Sequence, residues 1–255
     1  MNKLHNTTIL ESKSNLAFLQ LRMSCSSNDN DNYGVLETYV ASSGSLVKKW
    51  VYDRWSDSFN YNNKNRNDNN NDWWVIKASK GNGGRDIFII NNNNYDSVLI
   101  LLNDNDEYVI QKYVNNPMLW NGFKKFHFRC YTMFTADFTA FVYQEAFALT
   151  ASDDFNYDND DTTRHITNLS VNKKYPNHPG QIPVNVMIEY PTIFNGIKSL
   201  WADLVNAAVA FMSHQKSPNF FEFFGLDVIA DESCKCWLIE VNRLPGNYFI
   251  SMTNH

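Results

Sequence analysis

The chain has 255 residues, of which 44% are hydrophobic, 15% aromatic and 19% charged. This excludes a disordered tail and supplies a sizeable core without disulfide or metal staples. Lys and Arg number 22 against 27 Asp and Glu, a formal net charge of -5, which argues against a general nucleic-acid coat because such binding needs a broad basic face. No continuous apolar run follows Lys3, and no window reaches the roughly 18 apolar residues of a membrane span. A soluble, cytoplasmic chain is therefore expected, with reduced thiols at Cys25, Cys130, Cys234 and Cys236; a lone Cys-Lys-Cys lacks the second ligand pair of a structural zinc site.

In chain order, residues 1–72 form a poorly defined N-terminal region that ends in the Asn-rich tract Asn60 to Asp72. Such a tract has no apolar face to bury and lengthens a loop at small entropic cost. From Trp73 the texture changes. Trp73 to Lys77 and Asp86 to Ile90 have the composition of two strands, joined by the glycine-rich connection Ala78 to Arg85. A short helix is expected over Asp96 to Leu102 and a strand over Tyr108 to Val114. Two more strands, Phe126 to Thr135 and Thr139 to Ala148, are separated by the turn Ala136-Asp137-Phe138. Apolar residues at three- and four-residue spacing predict one amphipathic helix over Ile197 to Met212. A hairpin, Phe223 to Ala230 and Cys236 to Val241, ends the pattern. The class is α+β with mostly antiparallel sheet, and residues 73–255 are taken as one domain.

The last hairpin carries the strongest chemical signal. A symmetric turn sets Asp227 and Glu240 opposite one another, with Asn242 on the same face. Like charges opposed across a sheet are destabilising, so a divalent cation bridging them is the economical explanation. Two carboxylates and an amide oxygen suit magnesium, with phosphate oxygens and water completing its octahedron. In the glycine connection, Gly81, Gly83 and Gly84 let backbone amides approach phosphate, with Lys77 as a point charge on the preceding strand. The P-loop spacing is absent. Together the loop and the hairpin describe a nucleoside triphosphate held between two sheets. Lys112, Lys124, Lys125 and Arg129 form a basic stripe, with Lys125, His127 and Arg129 alternating onto one face; a merely solvated face is the competing explanation. Arg164 to Ser170 reads only as a loop.

Taken in order, Trp74-Val75-Ile76-Lys77 with its glycine loop, Tyr108-Val109-Ile110-Gln111-Lys112-Tyr113, Lys125-Phe126-His127-Phe128-Arg129, His165-Ile166-Thr167-Asn168 and Phe221-Glu222-Phe223-Phe224-Gly225-Leu226-Asp227 with Trp237-Leu238-Ile239-Glu240-Val241-Asn242 resemble the successive motifs of the tubulin-tyrosine ligase family. The resemblance implies an ATP-grasp fold with the nucleotide held between two subdomains. It also implies ligation of a free amino acid to a protein acceptor, with ATP and magnesium and through an acyl phosphate, and no nucleic-acid or membrane partner. Tubulin is the acceptor it suggests, with a cytoskeleton-associated location. Carried over by position, Lys77, Gly81 and Gly84 contact phosphates. Gln111, Lys112 and Tyr113 form the strand around adenine, and Thr167 and Asn168 lie beside the sugar and incoming amino acid. Lys125 and Arg129 serve ribose, phosphate and acceptor; Asp227, Glu240 and Asn242 hold magnesium, and Glu240 joins Lys125 and Arg129 as a catalytic residue.

The sequence also departs from the family pattern. His127 stands where Asp is usual, Gln144-Glu145-Ala146 where Arg-Glu-Gly is usual, and Asp86 where a third loop glycine is usual. The chain also stops thirteen residues after Asn242, so a closing helix is expected to be missing. A nucleotide-binding pseudoenzyme of the same fold is the alternative, and a ligase making a small-molecule amide is the third possibility.

Overall fold

A computed structural model describes residues 8–24, 33–55, 72–80, 86–157, 160–176, 178–212 and 220–243. Its elements are α1 (Thr8–Glu11), α2 (Lys13–Ser24), β1 (Tyr33–Gly34), β2 (Thr38–Ala41), α3 (Gly44–Trp55), β3 (Trp74–Ala78), β4 (Ile87–Ile90), α4 (Tyr95–Leu99) and β5 (Tyr108–Lys112). They continue with β6 (Leu119–Trp120), β7 (Lys124–Thr135), β8 (Ala140–Thr150), α5 (Thr162–His165), α6 (Leu169–Asn172), β9 (Gln181–Pro183), α7 (Tyr190–Val209), β10 (Phe221–Ala230) and β11 (Cys236–Arg243). They group into two compact units. One draws on Met1–Val35, Phe126–Leu149 and Pro179–His255, the other on Leu36–Lys125 and Thr150–His178. Residues 1–72, set apart from the core in the sequence, thus contribute elements to both units.

The first unit is built on a large sheet with the order β1-β11-β10-β7-β8-β9. β10 pairs antiparallel with both β7 and β11, while the short β1 runs parallel to β11. The turn between β7 and β8 is closed by the Thr135 amide donating to the Thr139 carbonyl, as the sequence predicts. α7 is longer than its periodicity suggested. It begins at Tyr190, with Pro191 in its first turn, where a missing N–H costs nothing. Its buried stripe, including Ile193, Ile197, Leu200, Trp201, Leu204, Val205 and Ala208, faces aromatic residues of the sheet. Phe134 and Phe224 stack with centroids 5.4 Å apart, and Trp201 lies 5.8 Å from Phe224. Each large side chain buried there stabilises the unit by about 1.5–3 kcal/mol.

One irregularity in this sheet decides where the chemistry sits. The turn leaves Ala230 and Cys236 as partners, and counting outward from them would put Ile239 opposite Asp227. The register instead shifts between Asp227 and Val228, so Val228 faces Leu238 while Asp227 faces Glu240. Ile239 is the extra residue of a β-bulge. The opposition of Asp227 and Glu240 is as expected, but its cause is corrected: the bulge produces it, and the symmetric turn does not.

The second unit holds a four-stranded antiparallel sheet, β2-β5-β3-β4. α3 covers it, burying Val47, Val51 and Trp55 with Trp74, Ile76, Ile90 and Ile110. At its edge the Asp72 carboxylate accepts from Arg54 Nε at 2.7 Å, Arg54 Nη2 at 3.0 Å, Trp74 Nε1 at 2.9 Å and the Lys112 ammonium. Burial alone would raise its pKa, but the bonds from Arg54, Lys112 and Trp74 hold it well below the usual carboxylate range. α3 enters against the loop after α4, where a Cβ on Gly44 would lie 2.5 Å from the Asn103 carbonyl oxygen.

That oxygen belongs to backbone and cannot swing aside, so Gly44→Ala is expected to destabilise the protein by about 1–3 kcal/mol. Urea unfolding followed by tryptophan fluorescence measures this; an unchanged midpoint would mean that the Asn103 segment gives way freely.

Candidate functional site

In the large-sheet unit, three adjacent strands present Arg129, Asp227 and Glu240 side by side: Asp227 is the cross-strand partner of Arg129 on β7 and of Glu240 on β11. Asp227 is only 2% exposed. Arg129 grips it with both arms of its fork, Nε to Oδ1 at 2.5 Å and Nη2 to Oδ2 at 3.0 Å. Asn242 Nδ2 donates to Oδ2 at 3.1 Å, and His127 Nε2 lies 3.6 Å from Oδ1. Burial opposes the charge of Arg129, yet the attraction and hydrogen bonds of Asp227, reinforced by Glu240, push its pKa above the ordinary guanidinium value. Arg129 therefore stays charged at any relevant pH.

These residues fit a hard cation. A carboxylate offers about four lone-pair positions; Arg129 takes two of those on Asp227 and Asn242 one, which leaves room for a single metal contact. With its amide nitrogen turned to Asp227, Asn242 keeps a carbonyl oxygen as a further ligand. The opposed Glu240 brings a second carboxylate, so the donors are all oxygen, as magnesium prefers. Among the described residues no group of three or more His, Cys, Asp and Glu side chains forms a metal cluster. The candidate set instead rests on two carboxylates plus an amide.

The four-stranded unit carries a second cluster. Lys77 is 7% exposed and Lys125 5%. Lys77 Nζ donates to Gln111 Oε1 at 2.7 Å, and Gln111 Nε2 donates to Thr38 Oγ1 at 3.3 Å. Lys125 Nζ donates to the Tyr113 hydroxyl at 2.6 Å while lying 3.9 Å from that ring's centroid. The hydroxyl in turn meets His165 Nδ1 at 2.8 Å. Which of the two donates is set by the imidazole tautomer. Burial pushes the Tyr113 phenol well above its ordinary pKa. Trp73 stacks on His165 with centroids 5.4 Å apart, and Phe155 meets the imidazole edge-on. Burial, with the charge of Lys77 nearby, lowers the pKa of Lys125 to about 7.

The remaining expected positions divide. Gly81 and Gly84 lie outside the described residues. Lys112 stands apart from the Lys77–Gln111 pair: its ammonium is committed to Asp72 and sits 4.8 Å over the Trp74 ring. Thr167 is buried, and Asn168 is the residue preceding α6, its carbonyl accepting from Asn172. Gln144 is exposed, with its backbone carbonyl accepting from the Tyr190 hydroxyl. His165 and Trp73 were given no role from the sequence. His165 stood in a motif, but its bond to Tyr113 spans 52 positions, which no local pattern reveals.

The Lys125 shift has a consequence for stability. Its folded pKa of about 7 lies below the ordinary lysine value of 10.5, so between those limits the unfolded chain binds a proton that the folded chain lacks. Stability from this group rises with pH across that window, by at most about 1.4 kcal/mol per unit, and is constant below it. Denaturant titrations between pH 7 and 9.5 should show this slope in the wild type and its loss in Lys125→Met; equal slopes would refute the burial of an ionisable amine.

Comparison with known proteins follows the same lines. The profile of the Tubulin-tyrosine ligase family matches residues 1–248. Relatives include a probable beta-tubulin polyglutamylase of Tetrahymena thermophila, 29% identical over 207 residues, covering 68% of this chain and 17% of that protein. The probable tubulin polyglutamylase ttll-9 of Caenorhabditis elegans is 28% identical over 194 residues, covering 68% of this chain and 46% of that one. Tubulin polyglutamylase TTLL6 of Mus musculus is 25% identical over 222 residues, covering 75% and 26% respectively. The chain thus spans less than half the length of these curated relatives. With the motifs in order and the family profile extending over nearly its whole length, the chain belongs to the tubulin-tyrosine ligase family.

Proposed function

We propose that this chain is an ATP- and magnesium-dependent ligase of ATP-grasp type that joins a free amino acid to a protein carboxylate, with tubulin as the acceptor. The observation that carries the proposal is the row Arg129, Asp227 and Glu240, cross-strand partners on three neighbouring strands, with Asn242 bonded to Asp227. The three relatives, all tubulin polyglutamylases or probable ones, support tubulin as acceptor and glutamate as the amino acid added.

The roles follow from the chemistry of each group. Lys77 and Lys125 exchange Gln111 and Tyr113 for phosphate oxygens. They are held ready by those bonds, so little rotamer entropy is lost on binding. Asp227, Glu240 and Asn242 are the residues that would hold magnesium, which would supply positive charge against the phosphate oxygens. Arg129, fixed by Asp227, faces the negative charge that grows on the transferring group. The acceptor carboxylate attacks the γ-phosphorus as the bond to ADP breaks, giving an acyl phosphate; the incoming amine then attacks the acyl carbon, loses a proton and expels inorganic phosphate. Positioning carries most of the catalysis, and little acid-base machinery is required.

A second assignment, a nucleotide-binding protein without the transfer step, is favoured by His127 beside Asp227 and by Gln144 in place of a family arginine. Ligation appearing in Gln144→Arg where the wild type shows none would select it.

Two measurements test the ligase. Incubated with tubulin, ATP and labelled glutamate, the wild type should release ADP and phosphate in step with label incorporation. Glu240→Gln should reduce both by about 100-fold or more, whereas turnover indifferent to this change would remove Glu240 from the metal site. Nucleotide binding should also be coupled to protonation, because phosphate beside Lys125 restores its charge. Calorimetry at pH 8 in buffers of different ionisation enthalpy should show uptake of up to about one proton, abolished in Lys125→Met; buffer-independent heats would place the phosphates elsewhere.

A further inference from the structure

The bulge at Ile239 creates a problem that the family motifs do not address. If the register before the bulge ran on, Glu240 would face Leu226 and Asn242 would face Phe224, two fully buried core positions. A shift of one residue turns every following side chain to the other face of the sheet. Burial of Val241 opposes this, but three polar contacts hold the strand itself. Before the bulge, Gln20 on α2, itself buried, donates through Nε2 to the Leu238 carbonyl at 3.1 Å. After it, Arg243 Nε donates to Glu222 at 2.8 Å, and Arg243 Nη1 lies 3.8 Å from Glu11 on α1.

Glu222 is the telling member. It is 4% exposed, with Phe134 as its partner on β7, and it lies on the opposite side of β10 from Asp227. A buried ion pair is no better for stability than apolar residues of similar size. Nothing in the core therefore calls for a carboxylate there, whereas a strand that must keep its register past a bulge does.

We propose that Gln20, Glu222 and Arg243 are positioning residues that brace β11 on both sides of its bulge and keep Glu240 and Asn242 on the Asp227 face. What the strand is held for rests on the metal assignment above; the bracing itself does not. It also gives the N-terminal helices a part in the site, since Gln20 and Glu11 both come from them.

The test compares Gln20→Met, Glu222→Gln and Arg243→Lys, all close in size to the original, with Leu149→Ala. Leu149 is fully buried on β8, which β7 and β10 separate from β11; its loss weakens the unit without touching the brace. Two readouts are followed: Mn2+ affinity in the presence of ADP by electron paramagnetic resonance, and amide hydrogen exchange over residues 238–243. The bracing variants should bind Mn2+ about 10- to 100-fold more weakly and exchange faster over that segment, while Leu149→Ala retains both properties once its lower global stability is allowed for. Bracing variants that change neither readout more than Leu149→Ala would overturn the proposal. If the wild type binds no Mn2+, the metal assignment fails and exchange alone decides the brace: unaltered protection in the variants refutes it, selective loss over 238–243 upholds it.

Discussion

The large sheet depends on the pairing of one buried carboxylate. Asp227 lies on a central strand with a guanidinium on one side and a second carboxylate on the other. Removing Arg129 would leave an uncompensated charge at a position with almost no access to water, typically a loss of about 3–5 kcal/mol. The bidentate geometry of Arg129 and the amide of Asn242 both serve that single group, while the bulge sets a second carboxylate against it. The sheet tolerates like charges face to face because the neighbouring strand supplies the fixed counter-charge.

The two lysines of the other unit follow a different rule. Asp227 is stabilised by a permanent opposite charge, whereas Lys77 and Lys125 are buried near each other and bonded to neutral partners, Gln111 and Tyr113. One charge repels the other, and the depressed pKa of Lys125 relieves part of that strain. Neutral partners are readily displaced by an anion. Two buried cations held on neutral partners cost the fold stability, the kind of cost proteins retain where function requires it.

How much of this could be read from the sequence depends on distance along the chain. Strands β3, β5, β7, β10 and β11 were visible as short apolar runs, and Asp227, Glu240 and Asn242 stood out because a hairpin brings them together across a few residues. α2 was not visible. Its buried side includes Gln20, while Phe18 and Leu21 on the same helix are 48% and 63% exposed, so the apolar period is blurred in both directions. The bulge was equally hidden, since Ile239 is as acceptable in a regular strand as in an irregular one. Lys112 looked like Lys77 and Lys125 from its neighbours in sequence, but β5 turns it toward Asp72 and the Trp74 ring, and nothing in its immediate sequence indicates that.

The Asp72 junction carries a consequence for how the chain can change. Arg54, in the last turn of α3, and Asp72, just ahead of β3, are locked by a two-bond fork, so the chain on either side of the stretch that contains the Asn-rich tract is joined independently of that stretch. The closure entropy of a loop grows only with the logarithm of its length, about 0.6 kcal/mol per doubling. A segment fastened at its base in this way can lengthen, shorten or drift in composition over generations while the four-stranded sheet feels almost nothing. The fork thus keeps the fit of α3 against the sheet independent of the length of chain between Arg54 and Asp72.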